Sequence, residues 1–507
     1  MTTLVLIVWN LEHAEASKFG DLFEKVQPDE VKIIYGSGSV DDAKLAEGIG
    51  KANVSFHHHK PVTEDPLFTN GKIDGDVYWG KYISRLAVEL GLDVRRHVNN
   101  EDLHVLVGTG STYMSGCLHA LGDVLGARIW TLIGSEDERK AVDTSMSMPF
   151  KEMEAGVLSR MAEERLSGYE WVDVSAISAG SIRVPRARGA SSIANMLEEK
   201  GLLKKRQGGS KEYSLTDIGF LHAICELSRE RLDPLDGSQE AVIMFHGGTG
   251  DAELESKEFR SYLDEHGLVG LFDKQALISV EWGDDDDKLK RMSKMLNDVI
   301  QGEDFIGSSS ISNLLSSDEK EFHSNSSRLL TEIRNIASCE EEWSLIIEKI
   351  PAQLRGVVFR YCRSSGISVV SIFRRRKAAG ATGKTPPTGL GKKAHRFRLP
   401  NENEISSIRE GLHMKSPNAR NVLATVLFSE DSGGNGNLLQ KEIVDFNNTF
   451  LHSPNLRLEG KQNVTRGISV AEENGLISRG GGSKLVCSLT PSGEVLARMT
   501  LLQYNEE

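Results

Sequence analysis

Cysteine is scarce in this 507-residue chain and nowhere paired. Cys117, Cys225, Cys339, Cys362 and Cys487 are scattered with no C-x-x-C spacing, which excludes a zinc ribbon and a disulfide framework and leaves reduced, packed thiols as the expectation. No stretch approaches the roughly 20 consecutive apolar residues of a membrane-spanning helix. Met1–Trp9 is too short, and lacks the basic start, for a signal peptide, so a cytoplasmic location is expected. Neither G-x-x-x-x-G-K-[ST] nor, after the first strand, G-x-G-x-x-G occurs, which removes an ATPase loop and a dinucleotide fingerprint. Positive charge is not in excess either. A net charge of −13 argues against a general coat of nucleic-acid affinity and leaves DNA binding to local basic faces.

What is present is the composition of an ordinary globular protein, 39% apolar and 26% charged, in a chain too long for one core. Three or four domains are expected. The stretch Arg186–Gly219 carries the most specific pattern. Pro185 fixes the chain's entry, Ile193, Met196 and Leu197 recur at helical spacing, and Gly201 stops a helix predicted over Arg186–Lys200. Leu202–Arg206 and Lys211–Leu215 then flank Gly208-Gly209, a dipeptide suited to a tight hairpin. The same syntax returns at Glu473–Gly493 with a constant offset: Gly201 falls over Gly475, Thr216 over Thr490 and Gly219 over Gly493.

Both stretches resemble winged helix-turn-helix domains of archaeal and bacterial regulators. The resemblance implies a helix in the major groove and a basic hairpin tip on phosphate. For the first copy it implies DNA contact by Arg186, Arg188, Ser191, Lys204, Lys205, Arg206 and Lys211. For the second it implies Lys461, Arg466, Arg479 and Lys484, with Gly467 unusual inside the helix Lys461–Asn474. Such units also serve as packing modules without DNA.

The N-terminal region alternates strand and helix: Leu4–Val8, a helix near Ala14–Lys25, Val31–Tyr35, a helix near Val40–Ile49, Asn53–Phe56, a helix near Val77–Leu90, Leu103–Val107, and Arg128–Ile133 closing the pattern. This is α/β grammar with a parallel sheet. Ligands bind such sheets at the carboxyl ends of the strands. Two loops qualify, Trp9-Asn10 and Gly108-Thr109-Gly110-Ser111-Thr112, the second being able to present backbone N–H groups, hydroxyls and a helix start to an anion.

Placed in "LHVLVGTGSTYMSGCLHALGDVLGARIWTLIG", that loop resembles the strand, "TGGTK-x-M" loop and small-residue helix of the CRISPR-associated Rossmann fold (CARF) family. The resemblance implies a dimeric Rossmann-like sensor of a nucleotide, with cyclic oligoadenylate as one such ligand, followed directly by a winged helix. By position it implies ligand contacts from Trp9, Asn10, Gly108, Thr109, Gly110, Ser111, Thr112 and Met114; the family's usual lysine is replaced near Tyr113. His57, His58 and His59 follow the third strand without carboxylate or cysteine at ligand spacing, and are read as an exposed loop.

Phe150–Leu166 is predicted as a helical connector with an apolar stripe of Met153, Val157, Met161 and Leu166, able to join sensor to reader. Leu221–Arg231 follows as a helix, and Asp233–Gly237 marks a boundary. Ala241–Phe245 opens a second α/β unit that continues through the helix Lys257–His266, the strand Ala276–Glu281 and the helix Lys288–Ile300. Gly307–Glu321, rich in Ser and acid, is read as an exposed insertion, and Val357–Tyr361 and Ile367–Phe373 as closing strands. Arg374–Arg398 is basic and Gly/Pro/Thr-rich, a linker suited to phosphate.

Some CARF proteins carry a HEPN ribonuclease with an Arg-x(4 to 6)-His pair. Arg260 and His266 have the spacing, but Asp264 and Glu265 would repel a phosphate, and "IRNIAS" at Ile333–Ser338 lacks the histidine. Asp284–Asp287 is read as a solvated turn rather than a metal site. No complete acid-base or ligand set is found, so no catalysis, metal or cofactor is expected. The resulting organisation is a CARF-like Rossmann sensor over 1–140, a connector helix and winged helix over 141–232, and over 236–377 a second α/β domain, for which a degenerate second CARF-like unit is one reading that would make the chain a tandem of sensor and reader. A basic linker over 378–400 and a C-terminal winged helix over 401–507 complete it. The expected function is ligand-responsive transcription regulation by a homodimer that partners DNA and a small nucleotide. The alternatives are a ring-nucleotide-activated ribonuclease and an inert scaffold.

Overall fold

The computed structural model describes residues 1–11, 15–37, 49, 52–58, most of 83–92, 102–178 apart from 110–111, 136–137 and 146–149, and 187–229 apart from 209–210. It further describes 240–247, 274–281, 305–373 apart from 313, 338–341 and 347–349, 395–431 apart from 399 and 415, 438–450, and 457–504 apart from 459 and 481–485.

The α/β class is observed. Strands β1 (Thr3–Asn10), β2 (Glu30–Ser37), β3 (Asn53–His58), β4 (Leu103–Leu106), β5 (Arg128–Ile133) and β6 (Lys140–Asp143) form one sheet in the order β3-β2-β1-β4-β5-β6. The first five are parallel and β6 runs antiparallel to β5. Parallel neighbours require crossover connections, and α1 (Gly20–Val26) and α2 (Thr112–Leu125) lie in two of them. The central strands are apolar on both faces because both are covered: Leu4, Val5, Leu6, Leu103, Val105 and Leu106 are all buried. At Gly122 the helix α2 lies against the sheet, where a Cβ would stand 3.4 Å from Val105 Cγ2 and 3.5 Å from Ile129 Cγ1, at van der Waals contact.

Helix α3 (Glu152–Leu166) follows the sheet. Glu154 is buried in its first turn, where it accepts from the Lys151 amide at 3.0 Å and from Lys200 Nζ at 2.9 Å. Burial would raise its pKa, but the Lys200 and Lys151 hydrogen bonds hold the carboxyl below its usual range. Lys200 belongs to the next unit, made of β7 (Val172–Asp173), α4 (Val174–Ser178), α5 (Ala187–Glu199), β8 (Leu203–Lys205), β9 (Glu212–Leu215) and α6 (Asp217–Arg229). Its sheet runs β7-β9-β8, and α3 packs along α6.

The plan then repeats. Strands β10 (Glu240–Gly247), β11 (Lys274–Glu281), β12 (Phe305–Ser312), β13 (Glu342–Ile346), β14 (Ser368–Phe373) and β15 (His395–Arg398) form a second sheet in the order β12-β11-β10-β13-β14-β15, again parallel except for the last strand. Helix α7 (Glu319–Ile336) precedes β13, and α8 (Arg355–Ser365) follows it as α2 follows β4. Helix α9 (Glu402–Leu412) then opens as α3 does, with the Asn401 amide donating to Glu404 Oε2 at 2.7 Å. After α10 (Pro417–Asp431) come β16 (Leu438–Leu439), α11 (Gln440–Phe450), α12 (Gly460–Glu473), β17 (Ile477–Gly480), β18 (Val486–Leu489) and α13 (Pro491–Tyr504), with the small sheet ordered β16-β18-β17.

Several sequence expectations are corrected. Val357–Tyr361 is helix α8, not strand; Val357, Val358, Phe359 and Tyr361 are all buried, so the run shows no polar face and no helical period. Gly307–Glu321 is not an exposed insertion: it contains most of β12 and the start of α7, with Ile311 and Ser316 buried. The end of the basic linker is β15, paired with β14. His57 and His58 lie within β3 rather than in the following loop, and β6 closes the first sheet after Arg128–Ile133. Met153 is exposed rather than part of the buried stripe of α3. The expected helices Val40–Ile49, Lys257–His266 and Lys288–Ile300, with Arg260, His266, Asp284–Asp287 and the basic stretch 374–394, lie outside or almost outside the described residues.

Candidate ligand cleft and candidate nucleic-acid interface

The two sheets meet through the loops at the carboxyl ends of their strands. After β4 the chain passes through Gly108 at φ +93°, a left-handed conformation that suits glycine, and a Cβ there would collide with the Ala352 carbonyl of the second half. Thr131 Oγ1, within β5, donates to the Gln353 carbonyl at 3.1 Å, and Gln353 Nε2 donates to the Leu314 carbonyl at 3.0 Å. The Gly134 amide donates to the Ser316 carbonyl at 2.9 Å. In return, Gly356 in the first turn of α8 presses on the first half, where a Cβ would stand 3.1 Å from Val107 Cγ2 and 3.4 Å from Thr144 Oγ1. Each half thus touches the other at a glycine, Gly108 just past the end of β4 and Gly356 in the first turn of α8.

Thr109 is tied down within this junction. Its hydroxyl donates to the Ile7 carbonyl at 2.6 Å, and its own carbonyl accepts from Ser115 Oγ at 2.9 Å, so the loop is pinned to β1 and to the start of α2. Trp9 and Asn10 are the last two residues of β1, Asn10 lying opposite Ser37 of β2, and Thr112 begins α2. The structure therefore gathers Trp9, Asn10, Gly108, Thr109 and Thr112 at the carboxyl ends of the central strands β1 and β4. Met114 is 4% exposed and packs into the core below the loop. Gly110 and Ser111 lie outside the described residues. The second half's contribution, Ala352–Gln353 and Gly356, was not singled out from sequence; Pro351 before a helix start was its signal.

Behind the loops lies a buried ionic cluster. Asp123 of α2 takes His119 Nδ1 at 3.0 Å and an ion pair from Arg363 of α8. Arg360 Nη1 stands 4.0 Å from Asp123 Oδ1 and 3.9 Å from Glu402 Oε2 of α9. Burial works to raise the Asp123 pKa, but Arg363, His119 and Arg360 outweigh it and hold the carboxyl well below the usual range. Burial lowers the His119 pKa, against the pull of the Asp123 carboxylate that its Nδ1 faces. The cluster joins the first sheet's helix, the second sheet's helix and the entry to the C-terminal unit.

The two small helix–hairpin units share a set of anchoring bonds. Thr216 Oγ1 donates to the Gly201 carbonyl at 2.8 Å, and Thr490 Oγ1 to the Gly475 carbonyl at 2.7 Å. The amides of Gly219 and Gly493 donate to those same threonine hydroxyls at 3.0 and 3.1 Å. A Cβ at Gly219 or Gly493 would collide with the Leu202 or Leu476 carbonyl. These contacts are why the "GL…LTxxG" syntax recurs.

In the first unit Lys204, Lys205, Arg206 and Lys211 are exposed on the hairpin, and Ser191 is half-buried on α5. Lys204 Nζ pairs with Glu170 at 3.4 Å and Arg206 with Glu212 at 2.8 Å, and both cations stand over the Trp171 ring, at 5.2 and 5.7 Å. Lys205 Nζ stands 5.7 Å from the Tyr213 ring centre, and Tyr213 is anchored through its hydroxyl on Asn195 at 2.6 Å. The role of Trp171 as a platform for the hairpin cations was not read from sequence. Beside it, a cleft of about 500 Å³ is lined by Arg165, Glu170, Lys204, Thr216 and Asp217 among others. Arg188 lies in the first turn of α5, and Arg186 outside the described residues.

In the second unit Lys461 and Arg466 are exposed on α12. Arg479 folds back on that helix, pairing with Glu472 at 2.7 Å and reaching Ser469 at 3.3 Å. Gly467 is where α12 crosses α10: a Cβ there would stand 2.7 Å from the Asn418 carbonyl oxygen and 2.9 Å from Val422 Cγ2. Lys484 lies outside the described residues. Among the described residues no group of three or more potential metal-ligating side chains occurs, and no helix is long and apolar enough to cross a membrane.

Comparison with known proteins adds little. No family model and no curated protein matches the sequence. Among solved structures the chain is similar to a Type III CRISPR defence DNA nuclease activated by cyclic oligoadenylate, at 8% identity and a TM-score of 0.34, covering 96% of this chain and 83% of that one. It is also similar to α,α-trehalose 6-phosphate synthase from Burkholderia multivorans, at 9% identity and a TM-score of 0.16, covering 72% of this chain and 91% of that one. Likenesses this distant carry no conclusion about this chain.

Proposed function

We propose that the chain is a ligand-responsive DNA-binding regulator of the CARF and winged-helix type, in which a small anionic nucleotide sits where the two sheets meet. Cyclic oligoadenylate is one candidate ligand. The observation that carries the reading is the mutual contact of the two strand-end regions, Gly108 against Ala352 and Gly356 against Val107. A ligand bridging the Gly108–Thr112 loop and its counterpart would touch both halves and bias their relative angle. The start of α2 favours negative charge there. In this reading the two halves of one chain would take the places that two subunits take in the dimer expected for such a site.

A path to the DNA-facing units is built in. Helix α3 packs along α6, and α6 packs against α7 and α8 of the second half, while α9 packs against α2 of the first. Each half's output helices therefore rest on the other half's sensor. A shift between the sheets must move the helix–hairpin units, and a ligand with different affinity for two arrangements would change DNA affinity by about 1 to 3 kcal/mol, with reciprocal coupling.

The test is calorimetry of the full chain with a panel of linear and cyclic nucleotides, on wild type and Gly110→Val, paired with DNA titrations at saturating ligand. Binding by wild type, loss of at least tenfold in the variant, and a ligand-dependent change in DNA affinity are expected. Equal binding by the two proteins, or ligand binding that leaves DNA affinity unchanged, refutes the proposal.

A further inference from the structure

The two helix–hairpin units share one architecture and, among the side chains described, differ in where their exposed cations are. In the first, the described exposed cations Lys204, Lys205, Arg206 and Lys211 are on the hairpin, and α5, which carries Arg188 in its first turn, ends in Glu198 and Glu199. In the second, the exposed cations Lys461 and Arg466 are on the helix, while the hairpin's Arg479 is held by Glu472 and Ser469. A cation on the hairpin meets phosphate and adds affinity without reading sequence; one on the groove-facing helix can reach base edges. The two units are fitted to different parts of the same task.

Both units are also fixed to one body. The first is tied through α6 to α7 and α8, and the second through α9 to α2, with the Asp123–Arg363–Arg360–Glu402 cluster between them. Symmetric dimers of DNA-binding proteins read palindromes because their two recognition elements are identical. A chain that contains both elements, made unequal, has no reason to read one.

We propose that a single chain binds one duplex as a 1:1 complex on a non-palindromic site. The first unit serves as the phosphate anchor and the second as the base-reading element. The inference rests on the DNA-binding reading above. It goes beyond it in fixing stoichiometry, site symmetry and the division of labour.

The experiment is selection of bound duplexes from a random-core library by the full chain, followed by stoichiometric titration of the enriched duplex and light scattering of the complex. A consensus without dyad symmetry and one chain per duplex are expected. In the variants, Lys205→Ala with Lys211→Ala should weaken all duplexes alike and lower the salt slope by up to about 1.8, at about 0.9 for each phosphate no longer neutralised. Lys461→Ala with Arg466→Ala should instead flatten base preference at one end of the site. All four side chains are exposed, and circular dichroism melts should match wild type. Two chains on a palindromic consensus, or the same uniform loss from both variant pairs, overturns the inference and leaves DNA binding standing. Failure of wild type to retain any duplex removes the underlying reading itself.

Discussion

Replacing Asp123 by asparagine should loosen the junction of the two halves. Arg363 is 4% exposed, and its Nε and Nη1 have no hydrogen-bond partner among the described residues, so the ion pair with Asp123 is its main compensation. Arg360 is better placed, with Glu402 Oε2 at 3.9 Å as well as Asp123 Oδ1 at 4.0 Å. Two unit charges 4 Å apart at an effective dielectric near 20 interact by about 4 kcal/mol. Removing one member of a buried pair costs about 3 to 5 kcal/mol, because the partner is left charged and desolvated. The effect is local to α2, α8 and α9, so native-state hydrogen exchange is the suitable assay. At about 1.4 kcal/mol per tenfold, the protected amides of these helices should exchange roughly 100-fold or more faster in Asp123→Asn. A compensated double variant, Asp123→Leu with Arg363→Met, should recover much of the protection, since apolar replacement of a buried pair is often neutral or stabilising. Exchange in Asp123→Asn within threefold of wild type would refute the assignment of the cluster as the clamp.

Other outcomes follow from the same contacts. His222 is 9% exposed, and burial, with lesser help from Arg360 and His323, pushes its pKa down to about 4; burial also lowers His57, His104, His119 and His323. A depressed histidine pKa means the unfolded chain binds the extra proton, so this stability is whole above about pH 6.5 and is lost as pH falls toward 4. His222 alone should account for roughly 3 kcal/mol of that loss, read as a fall in denaturation midpoint between pH 7.5 and 4.5 that is smaller in His222→Phe. Gly467→Val should destabilise the C-terminal unit by about 1 to 3 kcal/mol or more, because its side chain enters the space of the Asn418 carbonyl and Val422; an unchanged melt would mean that α12 does not cross α10 there. Triple replacement of Lys204, Lys205 and Arg206 by alanine should weaken binding to every duplex in a mobility-shift titration and flatten the salt dependence, and unchanged affinity would remove the hairpin from the DNA face. Purified protein should leave single-stranded RNA intact, and cleavage abolished by Arg260→Ala or His266→Ala would overturn the reading of the chain as non-catalytic.

The first sheet is legible because its strands are short apolar runs, and the turn after β4 is legible because glycine at a strand end, here Gly108 at positive φ, marks a conformation that other residues strain. β6 was missed because Lys140–Asp143 is a four-residue edge strand with only Ala141 and Val142 buried. β12 was missed for a related reason: it is the edge of the second sheet, where one side has no ladder to satisfy and a Ser-rich run suffices. Helix α8 looks like a strand in sequence because it is wedged between its own sheet and the first half, so its apolar residues surround it instead of forming a stripe. Each failure arises where a residue's environment is set by another part of the chain.

That pattern bears on the duplication itself. Within the helix–hairpin units the repeat is visible in sequence because it is written in short-range contacts: Thr216 and Thr490 bond to carbonyls fifteen residues back, and Gly219 and Gly493 lie under the carbonyl that follows. Those contacts tolerate few side chains, so the letters persist. Between the two sheets the repeat is topological, the order β3-β2-β1-β4-β5-β6 recurring as β12-β11-β10-β13-β14-β15, and a parallel sheet asks only for buried apolar residues at most positions. Its letters are free to drift while the order stays. The positions least free are those where the halves touch, Gly108 and Gly356, since a side chain at either would push the sheets apart. A Gly356→Val variant should therefore alter nucleotide response more than it alters the secondary structure of either half. If the variant keeps wild-type ligand affinity and wild-type coupling to DNA, the contact is packing alone, and the ligand reading loses the observation on which it stands.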